Sequence, residues 1–98
     1  MRKRNSGEGV VRHNTVEHKG DRYEYTLLVK ESERVASFRL PLYFIRIKMI
    51  TSDGKVTRAQ TGELFADPGK AVVFYEKLVD NLATPIDLAY IVEDAITV

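Results

Sequence analysis

The sequence predicts an α+β fold, a three- or four-stranded antiparallel meander packed against two C-terminal helices. Three observations carry that reading. Apolar and polar residues alternate with period two over 22–31 and 43–50, the mark of strands with one apolar face. An Asp53-Gly54 pair separates the second of these strands from the next polar stretch, as in a tight hairpin. Beyond residue 67 the apolar spacing becomes helical, and two start signals, Asp67-Pro68 and Thr84-Pro85, divide that region in two. A sheet with one apolar face followed by two amphipathic helices buries both sets of side chains most simply as two layers.

Taken in order, residues 1–9 hold Arg2, Lys3 and Arg4 and no apolar side chain after Met1, so they read as a solvated tail. Residues 1–20 as a whole read as a flexible basic N-terminal arm ahead of a single α+β domain over 21–98. Within that arm Val10, Val11, Thr15 and Val16 have strand composition, interrupted by Asn14, which leaves a short edge strand or an extended arm open. Lys19-Gly20-Asp21 is a turn signal. From Arg22 to Glu31, Tyr23, Tyr25, Leu27 and Val29 form the face expected to meet the helices, and Arg22, Glu24, Thr26, Leu28 and Lys30 the other. Ser32-Glu33 reads as a reversal and 34–40 as a further extended segment. Pro41, which has no ladder donor, ends that segment or marks it as an edge. From Tyr43 to Ile50, Tyr43, Ile45, Ile47 and Met49 oppose Phe44, Arg46, Lys48 and Ile50. A polar strand over 56–61 follows, ended or bulged by Gly62.

The first helix starts on Asp67, whose carboxylate caps free N–H groups, with Pro68 at the position where a missing N–H costs nothing. Ala71, Phe74, Tyr75, Leu78, Val79 and Leu82 share one stripe, opposite Glu76, Lys77, Asp80 and Asn81. Thr84-Pro85 repeats the start signal. In the second helix Leu88, Ala89, Ile91, Val92, Ala95 and Ile96 form the stripe, leaving Ile86, Asp87, Tyr90, Glu93 and Asp94 off it.

Composition narrows the function. With 98 residues, 44% hydrophobic and 30% charged, the chain has the make-up of one globular domain. No apolar run approaches the roughly 18 residues of a membrane span. The basic N-terminus has no apolar segment behind it, so secretion is not expected and a cytoplasmic location is. Without cysteine there is no thiolate nucleophile, disulfide or Cys-based metal site. The net charge of +1 hides a gradient, because the helical part from residue 63 onward has two basic and seven acidic residues while the remainder is basic. Such poles favour internal pairing or association with another chain.

No motif assigns a reaction. His13 and His18 lack further ligands nearby, the serines fall outside any nucleophile motif, and the glycines make no phosphate cradle, so neither a metal, a cofactor nor a catalytic role is expected. No small-molecule ligand is evident. Two surfaces remain. The second helix has three acids and no Lys or Arg, with Glu93 and Asp94 where the helix dipole disfavours them, and Ile86 and Tyr90 four residues apart beside Asp87. It reads as a contact surface for a protein partner or a second copy, the chain being a non-catalytic interaction or regulatory module. The alternative is weak nucleic-acid binding through Arg2, Lys3, Arg4, Arg46 and Lys48, against which Glu24 and Glu31 dilute the positive field and Phe44 alone is evident as a stacking aromatic on the sheet face.

The stretch Thr84-Pro85-Ile86-Asp87-Leu88, continued by Ile91-Val92-Glu93-Asp94-Ala95-Ile96, with Tyr43-Phe44-Ile45-Arg46-Ile47 upstream, resembles a family of small uncharacterised clostridial-type bacterial proteins. The resemblance spans roughly residues 22–97, and family members often have Gly where this chain has Phe44. It implies a bacterial cytoplasmic protein, and it carries over no functional residue.

Overall fold

A computed structural model of the chain describes residues 9–31, 41–62, 67–88 and 90. Four strands, β1 (Gly9–His18), β2 (Asp21–Glu31), β3 (Pro41–Ile50) and β4 (Val56–Gln60), form one antiparallel sheet in the order β1-β2-β3-β4. Helix α1 (Pro68–Asp80) packs on β2 and β3. A second, short helix begins at residue 85 and includes 86–88 and 90. The arrangement is the α+β meander with C-terminal helices that the residue pattern predicts. Residues 10–18, open between edge strand and arm, pair along β2 as an edge strand. The segment 34–40 lies outside the described residues, and Pro41 begins β3 opposite Glu31, a strand-end position that tolerates its missing N–H.

Two turns set the register. Lys19 and Gly20 have φ of 53° and 87°, as a two-residue type I′ hairpin requires, and bring His18 opposite Asp21. The β3–β4 connection is longer, running from Thr51 to Lys55. Thr51 N–H donates to the Lys55 carbonyl at 2.9 Å, Gly54 N–H donates to the Thr51 carbonyl at 2.9 Å, and Gly54 takes φ 91°. The Thr51 hydroxyl donates to the Asp53 carboxylate, which with a backbone bond to Lys55 holds that carboxyl below its usual range. The turns touch, since Ser52 N–H donates to Asp21 Oδ1 at 3.1 Å.

The resulting register places Tyr25 beside Ile47 and Leu27 beside Ile45 under α1. These four join Tyr23, Ala71, Tyr75, Leu78, Ala83 and Leu88 in one buried cluster. Val11, displaced by an irregularity between Val10 and Arg12, packs against the cluster together with Val16. β4 ends at Gln60, yet Thr61 continues its pairing. Its N–H donates to the Ile45 carbonyl at 2.9 Å, and its hydroxyl accepts from Ile45 N–H at 3.0 Å. A buried threonine thus satisfies both backbone groups of Ile45.

One assignment is corrected. Phe44 is not available for stacking, because it stands opposite Leu28 on the face away from α1 and both are buried, at 3% and 4% exposure. At that end the strands bury both faces, so strict alternation understates their apolar character.

Candidate functional site

The surface singled out on the second helix begins at the helix corner. α1 ends in a Schellman arrangement. Leu82 adopts φ 54° and donates its N–H to the Val79 carbonyl at 3.1 Å, and Ala83 N–H donates to the Leu78 carbonyl at 3.0 Å. The buried Tyr25 hydroxyl then donates to the Ala83 carbonyl at 2.8 Å, tying the corner to β2. Thr84 and Asp87 cap the next helix reciprocally. Asp87 N–H donates to Thr84 Oγ1 at 3.1 Å, and Thr84 N–H donates to Asp87 Oδ2 at 3.2 Å. This is a capping box with Asp in place of the usual Glu or Gln.

The start signals at Asp67 and Thr84 therefore act as the sequence predicts. At α1 the Asp67 carboxylate accepts from Gly69 and Lys70 N–H, at 2.8 and 3.3 Å. Asp87, singled out as an interaction residue, has a structural task that the sequence reading missed, although the Thr-x-x-Asp spacing carries its signal. Its neighbours Ile86 and Tyr90 are 70% and 67% exposed, whereas Leu88 between them is buried. The helix thus inserts Leu88 into the core and turns an apolar pair outward. Glu93 and Asp94 lie outside the described residues.

The open face of the sheet holds the second set of candidates. Arg46 and Lys48 lie on one side of β3, as their spacing requires, and Arg46 Nε donates to Gln60 Oε1 at 2.8 Å. Arg58, hidden in a strand whose composition is merely polar, is brought directly opposite Lys48 by the β3–β4 register. These three, with Glu24 and Thr26, line a cleft of about 300 Å³. Arg22 reaches Glu24 at 3.7 Å, and His13 Nδ1 lies 3.0 Å from Thr26 Oγ1. Arg2, Lys3 and Arg4 lie outside the described residues.

A second cleft, about 340 Å³, runs between β1 and α1 and is lined by Arg12, Asn14, Tyr75, Glu76, Val79 and Asp80. There the Tyr75 hydroxyl lies 2.6 Å from Asn14 Oδ1 and 3.1 Å from the Tyr25 carbonyl. Burial pushes the Tyr75 phenol up to about 12, against the opposing pull of Arg12. Burial, followed by the nearby Tyr23, Tyr75 and Asp87, likewise pushes Tyr25 up to about 12. Both phenols stay protonated across the neutral range and serve as hydrogen-bond pins. Among the described residues no three His, Asp or Glu side chains converge as metal ligands, and no helix is long and apolar enough to cross a membrane.

The chain matches neither a curated protein nor a solved structure. Residues 8–98, which include β1 and run through both helices, match a family of unknown function, DUF6514, and the chain belongs to that family.

Proposed function

We propose that this chain is a non-catalytic protein-interaction module of a bacterial cytoplasm, with Ile86 and Tyr90 at the centre of its contact surface. The observation that carries this reading is the outward presentation of two large apolar side chains, 70% and 67% exposed, on a helix pinned at its start. The Thr84–Asp87 box and the Tyr25–Ala83 bond hold that start. An apolar pair on a pinned element loses little further conformational freedom on binding, so its burial goes largely into affinity. Tyrosine in particular supplies broad contact area with a polar tip.

The test compares the wild-type chain with Tyr90→Ala, Ile86→Ala and, as a control, Val73→Ala, an exposed apolar site on α1. Concentration-dependent sedimentation measures self-association, and affinity capture from a bacterial extract measures other partners. Association lost with Tyr90→Ala and Ile86→Ala but kept with Val73→Ala, at unchanged circular dichroism, is the expected result. Association indifferent to both helix variants rules the surface out.

A further inference from the structure

The sheet face turned away from α1 carries an electrostatic imbalance that the described residues do not resolve. Lys48 on β3 stands directly opposite Arg58 on β4, and like charges in register across an antiparallel pair repel. Lys48 is half-buried, so it has already lost part of its hydration. Among the described residues neither cation makes an ion pair. Arg46, two residues before Lys48 on the same face, adds a third positive charge. Its Nε is held by Gln60, which fixes the guanidinium and leaves the two terminal nitrogens to donate elsewhere.

The three cations are gathered in a concavity of about 300 Å³, the scale of a small-molecule site. A held Arg46 guanidinium beside the facing Lys48 and Arg58 suits a compact dianion, for which arginine supplies paired N–H groups and lysine a point charge. Glu24 opposes Lys48 from the β2 side, with a side chain 26% exposed. Its contact with Arg22 at 3.7 Å is longer than a hydrogen bond, so its oxygens retain acceptor capacity. A carboxylate there repels a continuing chain of phosphates and accepts from a hydroxyl or amino group. With Phe44 buried, this face presents no exposed Phe, Tyr or Trp among its described residues.

We infer that this cleft binds a compact phosphomonoester whose organic portion bears hydroxyl or amino donors. Lys48, Arg58 and Arg46 hold the phosphoryl group, and Glu24 accepts from the organic portion. The site is separate from the Ile86–Tyr90 surface and stands or falls independently of it.

The experiment is a heteronuclear NMR titration of the full chain with inorganic phosphate, glucose 6-phosphate and a single-stranded oligonucleotide in turn. Saturable shifts at Glu24, Thr26, Arg46, Lys48 and Arg58 are expected, with the sugar phosphate tighter than phosphate. Lys48→Gln and Arg58→Gln each weaken binding about tenfold, the worth of one charge-assisted hydrogen bond. Lys77→Gln on the exposed side of α1 leaves it unchanged. Glu24→Ala strengthens inorganic phosphate and removes the sugar phosphate's advantage. Arg58 is exposed on a short edge strand, so Arg58→Gln remains a folded variant should Lys48→Gln not be. The inference is overturned if no probe gives saturable shifts, if phosphate and sugar phosphate bind equally, or if Lys77→Gln weakens binding as much as the cleft variants do. Tighter binding of the oligonucleotide than of either monophosphate also overturns it, in favour of an extended nucleic-acid surface.

Discussion

At the scale of single residues, four polar side chains fix the helix starts and the corner between them. Asp67 caps α1 alone, whereas Thr84 and Asp87 cap the second helix as a pair. Asp67→Ala and Thr84→Ala should each lower the unfolding free energy by about 1 kcal/mol, measured by urea denaturation. Thr84→Ala and Asp87→Ala should also be non-additive, the double variant losing less than the sum of the single ones. Each bond holds the geometry that the other needs, so either single change already weakens both. Strict additivity would mean that the two bonds form independently. Tyr25 is the fourth of these residues. Its hydroxyl crosses from the sheet to the Ala83 carbonyl, so Tyr25→Phe leaves a buried acceptor unpaired and should cost about 1–3 kcal/mol. The caps were legible because capping chemistry is local and its spacing is written in the sequence. The Tyr25 bond spans 58 positions, and no local pattern encodes it.

At the scale of elements, the hairpin turns decide which side chains meet. The β1–β2 turn places Lys19 at φ 53°, where a side chain with a Cβ is disfavoured, and Gly20 at φ 87°. Lys19 is exposed, so little packing is at stake there. Lys19→Asn, which creates the Asn-Gly pair that type I′ turns prefer, should therefore stabilise the chain by roughly 0.5 kcal/mol. Gly20→Ala should destabilise it by about 1 kcal/mol or more, because its φ is positive and a Cβ there lies 3.3 Å from Ser52 Cβ. Thermal unfolding followed by circular dichroism checks both signs. The longer β3–β4 turn sets Arg58 against Lys48, a pairing that composition alone does not reveal. Alternation identified the inward faces of β2 and β3 from sequence. It missed the burial of Leu28 and Phe44, because period-two counting assigns one face to solvent in advance. The consecutive Leu27-Leu28 and Phe44-Ile45, opposed in register, are the signal of strands buried on both sides.

For the whole molecule, the two buried phenols make stability depend on alkaline pH. Tyr25 and Tyr75 have ordinary values of 10.0 in the unfolded chain and are raised to about 12 in the fold. Below pH 10 both states keep these protons. As pH rises from 10 towards 12 the unfolded chain releases them and the folded chain does not, so stability is lost over that window. Urea midpoints should fall across it, and the fall should be shallower in Tyr75→Phe, which has one fewer phenol to ionise. The sequence by itself determined the class of fold, the helix caps, the turns and the inward-facing tyrosines, because each follows from periodicity or from chemistry confined to a few neighbouring residues. Tertiary structure alone decided that residues 9–18 pair as an edge strand and that Phe44 is covered. It also gathered Arg46, Lys48 and Arg58 around one cleft with Glu24. Those outcomes depend on register and on contacts between segments far apart in the chain, and their energies appear only once the segments have met.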